Sequence, residues 1–176
     1  MVLEELRNDC AVKQKKGLHF ILASILIWLL MLMIHVTPWP ILTKNLFTFY
    51  ATAPLMPLAF LISRLIKVDF RNKENPLTSL GVLLSVGQIP YLLIAMWVFS
   101  AVPEKMLMIM AMVFGAHLLP YSWLYKSKSY MVFAIAIPFL ALLVGIYFEP
   151  YVLALVMVGV EILFSLCLAA ENRAGT

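Results

Sequence analysis

Charge is what this sequence has least of. Asp, Glu, Lys and Arg make up 12% of its 176 residues, about half the share of a typical soluble domain, while 64% are hydrophobic. Mean hydropathy is +0.97. That imbalance excludes an ordinary soluble fold and points to an integral membrane protein. Cysteine is almost missing as well. Cys10 and Cys167 are too few for a disulfide framework or a structural zinc site. There is no Gly-x-Ser-x-Gly elbow, no His-Glu-x-x-His pair, no Walker loop and no Gly-rich dinucleotide fingerprint, which weighs against an enzyme without settling the point. Of the three histidines, His19 and His35 lie near opposite ends of one apolar run and make a poor haem pair. No cofactor and no metal site is indicated. The net charge of +4 does not signify nucleic acid, because no basic helix or aromatic-basic platform accompanies it.

What is present is a series of apolar runs. Six segments, at about 17–36, 46–67, 77–99, 104–125, 129–148 and 150–170, each approach the ~20 residues that cross a hydrocarbon core. Their separators are short: Pro38-Trp-Pro40, Arg71 to Pro76, Val102 to Lys105, Lys126-Ser-Lys128 and Glu149-Pro150. The expected fold is therefore all-α, a polytopic bundle of six transmembrane helices forming one domain over 17–170. A short amphipathic helix (1–16), with Leu3, Leu6, Cys10 and Val12 among charges, is expected to lie on the membrane surface before it, and 171–176 form a tail. The first run is longer than a signal-peptide core and no small-x-small site follows it, so it is expected to stay in place.

Lys and Arg give the orientation. In this topology eleven of the thirteen fall on one side, and only Lys44 and Lys105 on the other. The asymmetry places both termini in the cytoplasm. Trp39, Tyr50, Trp97, Trp123, Tyr125, Tyr147 and Tyr151 lie near span ends, as an aromatic belt requires. An inverted repeat of three plus three spans is compatible with the count, although the halves show no convincing match.

Polar residues inside spans are costly and usually face a bundle interior or a wet cavity. Counted inward from the outer span ends at 1.5 Å per residue, His117 lies at about 20 Å, Glu161 at about 16 Å and Gln88 at about 18 Å. Each has polar company three or four residues away: Gln88 with Ser85 and Tyr91, His117 with Tyr121, Glu161 with Ser165. The bland reading is packing, since buried Gln and His often just bond across helices. Glu161 resists it, because an unpaired carboxylate there must take up a proton or recruit a cation or His partner. Pro54, Pro57, Pro90, Pro120 and Pro138 fall within four consecutive spans, and interrupted helices commonly build transporter sites. The small pairs Gly81/Ser85, Ala111/Gly115 and Ala141/Gly145 are read as helix-packing positions.

With Asn75-Pro-Leu-Thr-Ser-Leu-Gly81, Gln88-Ile-Pro-Tyr91 and the block from Gly115 to Tyr130 in view, the chain resembles a family of small uncharacterised membrane proteins found mainly in Bacillus and its relatives. The likeness runs over most of the length and is most specific at 115–130. It implies a six-span protein of the bacterial cell membrane. The family has no assigned activity, so the resemblance carries no functional residue to this chain.

Three functions follow from different classes. The leading expectation is a small transporter or permease for a small molecule or ion, with a polar site of Glu161, His117, Gln88, Tyr91, Tyr121, Ser85 and Ser165 among spans three, four and six. A membrane hydrolase or lipid-modifying enzyme would instead use His117 and Glu161 as base and orienter, within about 3 Å of one another or through one water. A non-catalytic partner would dock a cytoplasmic protein or anionic lipid on the basic clusters.

Overall fold

Apolar runs of this length become helices because a helix satisfies its own backbone groups where no water can. The computed structural model describes residues 2–69 and 72–174. Arg71, counted among the basic residues above, lies outside them, as do the ends of the expected N-terminal helix and tail. Among the described residues every regular element is helical, in keeping with the all-α class. The elements are α1 (Leu3–Lys13), α2 (Leu18–His35), α3 (Ile41–Thr52), α4 (Leu55–Leu65), α5 (Pro76–Val86), α6 (Leu92–Ala101), α7 (Met106–His117), α8 (Leu119–Leu124), α9 (Lys128–Tyr147) and α10 (Pro150–Ala174).

Among the described residues five helical stretches are long and apolar enough to cross a membrane: Lys15–His35, Pro76–Ala101, Pro103–Leu124, Lys128–Tyr147 and Pro150–Ala174. The pair α3 and α4 makes a sixth if counted as one span bent by 41°. Proline explains the breaks. Pro54 stands between α3 and α4, Pro90 sits in a 3₁₀ turn (Ile89–Tyr91) between α5 and α6, and Pro120 opens α8 after α7 ends at His117. Pro138 behaves differently and stays inside an unbroken α9. Three of the four proline-bearing stretches are thus interrupted.

Two helix pairs form the core, α2 with α10 and α7 with α9. Small residues allow the second approach. A Cβ on Gly115 would stand 2.6 Å from Pro138 Cδ, and one on Gly145 would stand 2.6 Å from Met108 Cβ; Ala111 and Ala141 are fully buried.

The chain ends meet at one end of the bundle, where Asn172 Nδ2 donates to the Lys15 carbonyl (2.9 Å) and Lys16 Nζ to that of Glu171 (3.2 Å). At the opposite end Lys44 Nζ donates to the His35 carbonyl (3.1 Å), Asn45 Nδ2 to Pro103 (2.8 Å) and Lys105 Nζ to Gly145 (2.6 Å). The corner between α1 and α2 is left-handed at Lys15, Lys16 and Gly17 (φ 46°, 50° and 69°). Only at Gly17 does packing also demand the missing side chain, since a Cβ there would stand 2.8 Å from the Tyr130 hydroxyl.

α1 forms, but its apolar positions do not act as one stripe. Cys10 and Ala11 are buried, whereas Leu3 and Val12 are exposed. Val12 is two residues from Cys10, about 200° around a helix of 3.6 residues per turn, so the two cannot share a face. Polar contacts hold α1 instead. Asn75 Nδ2 donates to the Leu6 carbonyl (2.7 Å) and to Asp9 Oδ2 (2.8 Å), Asn72 Nδ2 also to Asp9 (2.7 Å), and Tyr125 OH to Gln14 Oε1 (2.8 Å).

Candidate functional site

The interior polar site begins with two facing helices. α2 and α10 pack along their lengths, and their pairing sets Ser24 of the first against Glu161 of the second. Glu161 is 0% exposed. Its Oε2 is hydrogen-bonded to Ser24 Oγ, while Oε1 has no hydrogen-bond partner among the described residues. Ser24 Oγ also lies 2.7 Å from the carbonyl of Ile21, the back-bond a serine makes inside a helix.

Ser24 is the link to a cavity. A space of about 220 Å³ is bounded by Ser24, Trp28 and Met31 of α2, by Thr52 and Leu55 at the α3–α4 break, by Ser85, Gln88 and Tyr91 at the α5–α6 break, and by Phe114 of α7. Two interrupted helices therefore open onto it. Its polar side chains are the hydroxyls of Ser24, Thr52, Ser85 and Tyr91, the amide of Gln88 and the indole of Trp28, and no lining side chain carries a charge. The remainder is apolar, with Trp28 and Phe114 edge to face at 6.2 Å.

The seven residues singled out in the sequence divide. Ser85, Gln88 and Tyr91 line the cavity. Tyr121 stands behind Ser85, its hydroxyl 2.6 Å from Ser85 Oγ and donating to the Gly81 carbonyl at 3.1 Å. His117 lines a separate, more open groove of about 610 Å³ with Leu83, Gly87, Tyr91 and Pro120. Its Nδ1 bonds the Phe114 carbonyl (2.5 Å), and its ring meets Tyr121 edge-on at 6.0 Å. Ser165 donates to the Ile162 carbonyl of its own helix (2.8 Å) rather than to Glu161. Among the described residues no hydrogen bond or ion pair joins His117 to Glu161.

Depth explains what the sequence could and could not see. Gln88 and Ser85 share a face by local spacing, which a sequence shows. Whether Glu161 faces α7 or α2 depends on rotation about α10, and depth says nothing of that. Ser24 and Thr52 went unremarked because single hydroxyl residues in apolar helices are common. The only local signal was that Ser24 is the sole hydroxyl between Leu18 and His35. The groove holding His117 and the cavity holding Gln88 share Tyr91 and Val113 as a common wall.

Among the described residues no group of three or more His, Cys, Asp or Glu is placed to hold a metal ion. Nothing among curated proteins or solved structures matches the chain. The model of a family of unknown function, DUF7010, matches residues 3–171, and the chain belongs to that family.

Proposed function

We propose that this protein is a small permease-like carrier of the cell membrane. The six-span count takes the bent α3–α4 pair as one crossing. Supporting that, Lys44 lies beside His35 at one end, while Lys15 Nζ reaches the Ile66 carbonyl (2.5 Å) at the other. The basic end, where both tails meet, faces the cytoplasm by the excess of Lys and Arg there. The observation that carries the reading is the half-open cavity at two helix breaks, where Ile89, Tyr91 and Leu92 are exposed. Its uncharged donors and acceptors suit a neutral, compact and largely apolar solute with a few hydrogen-bonding groups. At about 220 Å³ the space is smaller than the ~300–1,000 Å³ of drug-sized pockets, which points to a correspondingly small molecule.

The enzyme reading has less support, because His117 and Glu161 have separate partners and separate surroundings. The docking reading has less too, since Arg7, Lys13, Lys15, Lys16 and Lys126 already contact the protein itself.

Thiol accessibility tests the carrier reading. Thr52→Cys and Gln88→Cys would be introduced separately into a Cys167→Ser background. The buried Cys10 can stay, because burial pushes its thiol up to about 11 and leaves little reactive thiolate. A membrane-impermeant methanethiosulfonate reagent is expected to modify both positions in right-side-out or inverted vesicles. Modification by lipid-soluble maleimide alone would overturn the reading in favour of a dry bundle.

A further inference from the structure

We propose that Glu161 is a proton-binding site: a neutral carboxylic acid that donates its hydrogen to Ser24 Oγ and communicates through that hydroxyl with the cavity. The carrier reading is what gives such a proton a use, as the ion whose movement is linked to the solute.

Hydrogen counting carries the argument. Ser24 Oγ has two close oxygen neighbours, the Ile21 carbonyl at 2.7 Å and Glu161 Oε2. A serine hydroxyl has one hydrogen to donate and lone pairs to accept with. A carbonyl oxygen has none to give. If Ser24 donates to Ile21, the hydrogen between Ser24 and Glu161 must belong to the carboxyl group. An ionised carboxylate would leave one of the two contacts without a hydrogen, oxygen facing oxygen.

The surroundings agree. A charge buried away from water needs pairing and hydrogen bonds to be tolerated, and Oε1 has neither. The titratable side chains on the elements packed against α10 are Lys15 and Lys16 at the corner before α2 (Lys16 paired with Glu171), His19 and His35 on α2, His117 on α7, Lys128, Tyr130 and Tyr147 on α9, and Tyr151, Cys167, Glu171 and Arg173 on α10 itself. No lysine or arginine lies within α2 or α7, and those on α9 and α10 stand at the helix ends. No permanent cation is built in to hold a carboxylate at this depth.

Release of the proton follows from the same geometry. Once the Ser24 hydroxyl turns its hydrogen from the Ile21 carbonyl towards the cavity, the Glu161 O–H bond breaks as a new O–H bond forms on Ser24, and the hydrogen Ser24 already carried passes to a water or a hydrogen-bond-accepting solute there. Ser24 is then left donating to the carboxylate, and the occupant holds the added proton. The path needs no other side chain.

Infrared difference spectroscopy on the full-length protein in lipid nanodiscs tests this. At neutral pH the wild type should show a protonated carboxylic-acid carbonyl band that Glu161→Gln removes. Transfer to heavy water should shift that band, reporting exchange through the cavity. Ser24→Ala keeps the acid but removes its acceptor, so the band should move to higher wavenumber and exchange more slowly. A wild-type spectrum in which neither substitution alters a protonated-carboxyl band would overturn the proposal. So would a band that never exchanges. The infrared result is independent of thiol labelling: a protonated Glu161 beside inaccessible cysteines would remove the carrier and keep the proton site, and the reverse pattern would do the opposite.

Discussion

The guanidinium of Arg7 lies over the indole of Trp123, 4.5 Å from the ring centroid, and donates through Nε (3.0 Å) and Nη2 (2.5 Å) to the carbonyl of that same tryptophan. The residues are 116 positions apart, so this contact fixes α1 to the end of α8. It also adds charged donors to a carbonyl at the end of α8 that already accepts from the Lys126 backbone N–H (3.3 Å). Lys126 extends the join, contacting Glu4 (2.9 Å) and Asn8 Oδ1 (2.9 Å).

Removing the fork should free α1 without unfolding the bundle. Arg7→Ala is expected to cost about 1–2 kcal/mol locally, by losing stacking and charge-assisted bonds together. Arg7→Lys should recover only part of it, because an ammonium cannot lie flat on the ring and bond the carbonyl with two nitrogens. Amide hydrogen exchange checks this: protection in residues 3–13 should fall while that of α2 and α10 stays unchanged.

Acid should loosen the same helix. Lys13 first, then Asn75 and Asn72, holds the Asp9 carboxyl below its ordinary range, and Lys126 and Arg7 do the same for Glu4. Folded-state values lower than the unfolded ones mean stability that is fully present above the ordinary carboxylate range, about pH 4, and lost as pH falls through the folded values. Exchange in α1 should therefore rise below about pH 4. Asp9→Asn should flatten that dependence, leaving the smaller part due to the exposed Glu4.

Gly115 and Gly145 should differ when enlarged. A Cβ at 115 meets Ile137 Cβ (2.7 Å) and the Pro138 ring, neither of which can swing away, whereas at 145 it meets the side chain of Met108. Gly115→Ala is expected to lower stability by about 1–3 kcal/mol, and Gly145→Ala by less, since methionine repacks readily. Thermal unfolding of the two variants in one detergent gives the comparison.

These contacts show how far the sequence was readable. Helix type and the breaks at Pro54, Pro90 and Pro120 were legible, because length, hydropathy and proline chemistry are local. The Ser85–Gln88 face was legible for the same reason. The pairing of Ser24 with Glu161 was not, because α2 is apolar on every side and periodicity cannot say which face meets α10. Pro138 was not legible in the same way: it sits inside an unbroken α9, with Gly115 of α7 packed against its ring.

Tyr121 offers the sharpest test of which wall of the cavity moves. Among the long apolar stretches, Pro76–Ala101 is the least enclosed. α5 has no buried residue, and Val82, Leu83 and Val86 are exposed along it. With so little apolar burial, α5 is tied to the bundle by polar contacts: Gln14 Nε2 donates to Thr78 Oγ1 (3.2 Å) near its start, and the Tyr121 hydroxyl bonds Ser85 and the Gly81 carbonyl nearer its end. Tyr121→Phe keeps the ring stacked on Tyr125 and deletes only those bonds, at a cost of about 1–2 kcal/mol. If α5 and α6 form the gate, the variant should speed modification of Gln88→Cys several-fold and leave Thr52→Cys, on the opposite wall, unchanged. Equal rates at both positions would mean that the α5–α6 stretch is held by its packing after all, and that the opening lies at the α3–α4 break instead.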